Sequence, residues 1–198
     1  MRVRTHTNPL NFHERLKSLN LEAIFPTSSD ALDFEVGFGR GIFLRHWAKT
    51  FPERNIIGVE VRKNIVSILN ERIKKENIEN THLIHGSAEI ALEDTLADHS
   101  LDNIFVFHPD PWFKKRHHKR RVVRPQFLKL AAKKLKPGGK LYVSTDVTPL
   151  WEGMMESISE SPFKEVKDEK FWTDIYTTHW HTYREEENRD FNFGTFEI

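Results

Sequence analysis

A chain of 198 residues with 38% hydrophobic content is long enough for one domain with a core and too apolar to be disordered. Its formal net charge of +1 excludes a polycation, so any affinity for nucleic acid must come from how charge is distributed. The lack of cysteine excludes disulfides, thiolate metal sites and cysteine nucleophiles, and it fits a reducing compartment.

In chain order, Met1 to His6 lead into no apolar stretch of the signal-peptide kind, and the longest apolar runs fall far short of a membrane span. A soluble, cytoplasmic protein with no membrane partner is expected. Residues 1–30, broken by Asn8-Pro9 and by Pro26-Thr27-Ser28-Ser29, read as an N-terminal arm with a short helix. Residues 31–198 read as a single domain. Strands are predicted at 31–36, 56–60, 82–85, 102–107, 140–145 and 193–197. Helices are predicted at 41–50, 62–76 (Ile65, Ile68, Leu69 and Ile73 at helical spacing), 88–96, 123–135 and near 149–160. Lys136-Pro137-Gly138-Gly139 punctuates the end of the fourth helix. Strands alternating with helices imply an α/β fold, a mostly parallel sheet covered on both faces.

In such sheets ligands bind beyond the carboxyl ends of the strands. Here those ends carry Glu35, Glu60, Ser87 with Glu89, Asp110 and Asp146. Glu35 runs into Gly37-Phe38-Gly39-Arg40-Gly41, a turn that lets backbone approach a ligand closely. The dinucleotide fingerprint needs a third small residue where this chain has Ile42, which disfavours a nucleotide-dependent oxidoreductase. A carboxylate at the end of the second strand, Glu60, suits the two hydroxyls of a ribose. With no lysine-threonine phosphate loop, the acidic pocket suits S-adenosylmethionine, which has a ribose, an adenine and a sulfonium but no phosphate.

Asp110 is clamped between Pro109 and Pro111, so its backbone has little freedom and its carboxylate is aimed in advance. Trp112 follows, a flat surface for packing or stacking. From Pro111 to Thr145 there is no Asp or Glu, while twelve of the chain's 30 lysines and arginines lie there. One-signed charge beside a candidate active site reads as a phosphate-binding surface, and Lys115, Arg116, Lys119, Arg120, Arg121 and Arg124 are its expected backbone contacts. His117-His118 and His179-x-His181 lack the spacing and carboxylates of a zinc site, so no metal is expected.

Glu35 to Gly41, Gly58 to Arg62, Ser144-Thr145-Asp146, Thr182-Tyr183-Arg184-Glu185 and above all Pro109 to Arg121 make the chain resemble the bacterial tRNA (guanine-N7)-methyltransferases over roughly residues 31–198. The resemblance implies a Rossmann-like class I methyltransferase fold with an antiparallel C-terminal strand. It also implies S-adenosylmethionine as cofactor and the variable-loop guanine of tRNA as substrate. By resemblance Glu35, Gly37, Gly39, Gly41, Glu60, Ser87 and Asp110 line the cofactor pocket, and Asp110 is the catalytic carboxylate. Lys114, Asp146, Thr182, Tyr183, Arg184 and Glu185 contact the substrate. Ser87 stands where the family usually has an acid or amide, and His108 where it often has an apolar residue. Two rivals stay open: a methyltransferase acting on another RNA, and a non-catalytic RNA-binding protein on this scaffold. The chain is expected as a monomer or homodimer.

Overall fold

In the computed structural model, residues 7–26, 29–178 and 191–198 are described. Seven strands form one sheet: β1 (Leu32–Val36), β2 (Asn55–Glu60), β3 (Thr81–His85), β4 (Leu101–Phe107), β5 (Leu135–Thr145), β6 (Lys164–Val166) and β7 (Asn192–Glu197). Their order is β3-β2-β1-β4-β5-β7-β6. The first five are parallel, and β7 is antiparallel to both β5 and β6. Strand order reverses between β1 and β4, so the crevice where open α/β sheets take ligands lies beyond Val36 and Phe107.

The helices are α1 (Leu21–Ile24), α2 (Ile42–Thr50), α3 (Lys63–Lys75), α4 (Ala88–Thr95), α5 (Pro125–Lys134) and α6 (Thr148–Ser159). The pleat sends alternate residues of each strand to opposite faces. Ile104, Val106, Leu141 and Val143 meet Leu92, Phe127, Leu128 and Met154 of α4, α5 and α6 in a mainly aliphatic layer. Phe105, Phe107 and Tyr142 face the other way, onto Phe43, Leu44 and Trp47 of α2 and onto Phe171. That second layer is aromatic, with ring centroids 4.8 Å apart for Phe43–Phe105 and 4.1 Å for Tyr142–Phe171.

The predicted elements stand with small shifts, and three features differ from expectation. Strand β5 starts at Leu135, opposite Leu101, and the Lys136-Pro137-Gly138-Gly139 segment bulges out before pairing resumes at Lys140 opposite Asn103. Helix α3 buries Val66, Leu69 and Ile73 and leaves Ile68 57% exposed, so its apolar stripe is rotated from the one the spacing predicts. A π-helical turn, Phe171–Ile175, sits between the last two strands and carries no signal in the sequence. Its start is fixed by Asp168, which accepts from the Phe171 backbone N–H (3.3 Å), Tyr142 Oη (2.7 Å) and Lys140 Nζ (3.1 Å).

The arm holds to α4. Leu16 N donates to Asp94 (2.8 Å), Leu19 N to the Thr95 carbonyl (3.0 Å), and Arg15 pairs with Asp94 and Glu93. Leu16, Leu19, Leu21 and Ile24 pack on the aliphatic layer.

Candidate active site at the sheet switch point

The turn after β1 is built from glycines with left-handed backbone: Gly37 at φ 71°, Gly39 at 52° and Gly41 at 66°. Gly41 also N-caps α2, and a Cβ there would strike the Leu69 side chain of α3. In β2 a Cβ on Gly58 would strike Leu44 and Phe38. Gly58 therefore supplies the close strand-to-helix packing for which the fingerprint reserves its third small residue; the glycine-turn motif alone did not point to it.

Four carboxylates end the strands around this turn. Glu35 is buried, and its Oε2 has no hydrogen-bond partner among the described residues. Burial, helped by the negative charge of Glu60, pushes its pKa up to about 8. Glu60 is buried as well but fully engaged. Its Oε1 accepts from Arg62 N (3.1 Å) and Nε (3.0 Å), and its Oε2 from Gly39 N (3.2 Å) and Arg62 Nη2 (2.7 Å). The hydrogen bond to Glu60 holds the Arg62 guanidinium above its ordinary pKa against partial burial, and the charges of Glu60 and Asp110 act in the same direction. The proline-clamped acid and the glycine turn thus share one electrostatic site, bridged by Arg62. The sequence reading left Arg62 without a role; an Arg two residues beyond a strand-end Glu was the available signal.

Ser87 and Glu89 have different partners within the protein. The Ser87 hydroxyl accepts from Ile90 N (3.4 Å) as the N-cap of α4 and is buried. Glu89 faces Arg124, whose Nη2 lies 2.7 Å from Oε1 and 2.8 Å from Oε2. Asp146, beyond β5, pairs with His108 (Oδ1 to Nδ1, 3.3 Å).

The basic segment splits into two groups. Arg120 lies over the Trp112 ring at 4.9 Å, Arg121 Nε donates to the Pro111 carbonyl (2.9 Å), and Arg124 pairs with Glu89. Arg120 and Arg121 fasten the short 3-10 helix Lys115–Arg120 back onto the Pro-Asp-Pro-Trp turn, and Arg124 ties the start of α5 to α4. Further on, Lys133 and Lys134 pair with Asp98, Lys136 with Asp102 and Lys140 with Asp168. What looks one-signed in sequence is neutralised in space by acids from other segments. Lys114, Lys115, Arg116 and Lys119 remain exposed, without an acidic partner among the described residues. Phe113 stands among them, 73% exposed. Thr182, Tyr183, Arg184, Glu185, His179 and His181 lie outside the described residues, and no metal-binding cluster occurs among the described ones.

A family model described as "Putative methyltransferase" matches residues 29–195. The tRNA (guanine-N(7)-)-methyltransferase of Nitrosococcus oceani is 43% identical over 140 residues, 71% of this chain and 57% of the relative. That of Thermosynechococcus vestitus is 36% identical over 158 residues, 79% and 74% of the two chains, and that of Shewanella amazonensis 40% over 146 residues, 74% and 61%. The match thus spans less than two thirds of the N. oceani and S. amazonensis relatives. Among solved structures, 16S rRNA methyltransferase KamB superposes with a TM-score of 0.69 at 16% identity, covering 92% of this chain and 95% of that one. A SAM dependent methyltransferase from Aquifex aeolicus gives 0.56 at 14%, covering 89% and 86%. These likenesses show the fold, the Rossmann-like fold of class I methyltransferases.

Proposed function

The chain belongs to the methyltransferase family whose model covers residues 29–195, and from that premise we propose that it transfers a methyl group from S-adenosylmethionine to guanine N7 in the variable loop of tRNA, in the cytoplasm. The observation that carries this reading is the unpartnered, buried Glu35 oxygen beside Glu60 and the glycine turn, with Asp110 and a short exposed basic segment at its edge. The guanine target is argued from the names of the curated relatives.

The residues present fit the cofactor. An orphaned carboxylate oxygen suits a cationic ligand, and Gly37 and Gly39 leave their Cβ positions nearly open. Glu35, Glu60 and the glycine turn would hold it, with Ser87 at the base of α4. All four acceptor contacts of Glu60 are occupied in this structure, three of them by Arg62. Glu60 would hold the cofactor's hydroxyls in place of the Arg62 guanidinium, whose side chain is 43% exposed and borders solvent. When bound, S-adenosylmethionine supplies a methyl group made electrophilic by its sulfonium.

Guanine N7 carries a lone pair and no proton, so no residue of this chain has to act as a base to unmask it. The work left to the protein is positioning and charge stabilisation. Asp110 neutralises the positive charge that the purine gains and accepts from its N1–H and 2-amino group, which adenine does not offer in that pattern. Asp146 shares that charge. Lys114, Lys115, Arg116 and Lys119 hold the RNA backbone, which positions without specifying sequence. The Phe113 ring offers an unpaired base a stacking surface. Trp112 already carries Arg120 on its ring.

The reading is tested by labelled methyl transfer onto unmodified tRNA, with the product mapped by chain cleavage at N7-methylguanosine. Methyl groups found at any other atom would refute it. The RNA surface is tested separately. Lys115→Ala with Lys119→Ala is expected to lower the slope of log affinity against log salt by roughly 1.5, each phosphate contact contributing about 0.7–0.9. Phe113→Ala is expected to weaken binding by roughly tenfold at every salt concentration, since stacking is worth about 1–3 kcal/mol per base and releases no counterions. A Phe113 variant that changed only the salt slope would remove the stacking role.

A further inference from the structure

Strand β3 ends the sheet among the described residues, with a strand partner on one side, β2. Such an edge is prone to fray at its tip. Here the tip is tied twice to the end of β2. Gly86 N donates to the Glu60 carbonyl (3.1 Å), and His85 Nε2 lies 3.2 Å from the Val61 carbonyl. A carbonyl only accepts, so the proton of that second bond sits on Nε2. These two bonds set the spacing between Glu60 and Ser87, two of the residues proposed to hold the cofactor.

The N-terminal arm backs both bonds. Asn8 starts a 3-10 turn, Pro9–Asn11, by accepting from Leu10 N (3.2 Å), and its Nδ2 donates to Asn11 Oδ1 (2.8 Å). Pro9 adds a fixed φ to that turn. The turn ends at Phe12, whose ring meets His85 edge to face, with centroids 5.2 Å apart at 75°. Four residues on, Leu16 lies over Gly86, its Cδ1 3.8 Å from where a Cβ would stand. The backbone of Leu16 is fixed in turn to Asp94 of α4, the helix that Ser87 caps. Arm, β3 and α4 thus close a ring of contacts around the Gly86-Ser87 corner.

We propose that the N-terminal arm is a working part of the cofactor site: Phe12, acting through His85, and Leu16, lying over Gly86, are positioning residues that hold the ends of β2 and β3 at the spacing S-adenosylmethionine requires. The role rests on the functional reading above, because that spacing matters only if the cofactor lies against Glu60 and Ser87. Neither arm residue has to touch the cofactor. A corner that is open part of the time binds more weakly in proportion to its closed fraction, and the arm raises that fraction.

Calorimetry of the full chain, well below its melting temperature, tests this. Phe12→Ala is expected to weaken S-adenosylmethionine binding about fivefold to tenfold, the scale of one aromatic pair, with KM for tRNA little changed. Phe12→Tyr keeps the ring and is expected to bind within about twofold of wild type. His85→Ala is expected to weaken binding about tenfold, and the double variant with Phe12→Ala to add no more than about twofold, because Phe12 acts through His85. Leu19 packs on the aliphatic layer, so Leu19→Ala is expected to lower the melting temperature and leave the affinity within about twofold. Independently of any ligand, hydrogen exchange is expected to be faster at the Gly86 amide in Phe12→Ala than in wild type, and unchanged in Phe12→Tyr. Wild-type affinity in Phe12→Ala, losses that multiply in the double variant, or an equal loss in Leu19→Ala would each overturn the proposal. So would a rise in KM for tRNA in place of the loss of cofactor affinity. A wild-type protein that binds no S-adenosylmethionine would instead remove the functional reading and with it this role, and exchange at Gly86 would still decide whether the arm braces the corner.

Discussion

Asp110→Ala is expected to lower kcat/KM for tRNA methylation by at least about 100-fold, with the melting temperature changed by no more than about 2 °C. The size follows from what the carboxylate replaces. A preorganised charge aimed at a site where opposite charge develops is worth about 10²–10³ in rate when removed. Pro109 and Pro111 spare Asp110 the cost of being ordered at the moment of reaction. The small effect on stability follows from its place: Asp110 is partly exposed, on a loop beyond β4, outside both core layers. Asp110→Asn preserves the shape and removes the charge, so it separates hydrogen bonding from electrostatics. Single-turnover methyl transfer and thermal melting on the same samples check both halves. Near-normal rates in both variants would take catalysis away from this residue.

Glu35→Gln is expected to act in opposite directions on stability and on cofactor binding. In the unfolded chain this carboxyl titrates near its ordinary value of 4.5, and in the folded chain burial first, and the Glu60 charge second, push it up to about 8. The folded state binds the proton more tightly than the unfolded one. Its stabilising contribution is therefore complete below about pH 4.5 and is lost as the pH rises through about 8. At pH 8–9 the wild type carries a cost of roughly 3–5 kcal/mol that the amide lacks. The variant should then melt about 6–20 °C higher at alkaline pH and nearly equal to wild type at pH 4.5. Binding of a cation beside Glu35 favours its ionised form, so S-adenosylmethionine should bind wild type with release of a proton and the variant at least about tenfold more weakly, without that release. Melting from pH 4.5 to 9 and calorimetry in two buffers of different ionisation enthalpy test the pair of effects. A pH slope of melting equal to that of wild type would show that Glu35 does not titrate as described.

The sequence was legible where local rules decide. Alternation locates six of the seven strands, helical spacing locates the helices between them, and polar residues at strand ends mark the switch point. Glu35, Glu60 and Asp110 lie where those rules place them, and Arg62 connects the last two electrostatically. Illegible were properties fixed by residues far apart in the chain. Nothing near Lys134 announces Asp98, 36 positions earlier, and nothing near Tyr142 announces Asp168. The Ser87 hydroxyl, expected in the cofactor pocket, also caps α4 through Ile90 N. Leu69 of α3 packs onto the bare Gly41, a contact between two separate segments. His108 is legible as an oddity, but its partner Tyr176 comes 68 residues later.

The acids that face the outer lysines of α5 and β5 set how this molecule meets other polyanions. Asp98, Asp102 and Asp168 offset the charge of Lys133, Lys134, Lys136 and Lys140 on that flank. If the chain takes RNA as proposed, that flank offers the phosphates less net positive charge than its count of lysines suggests.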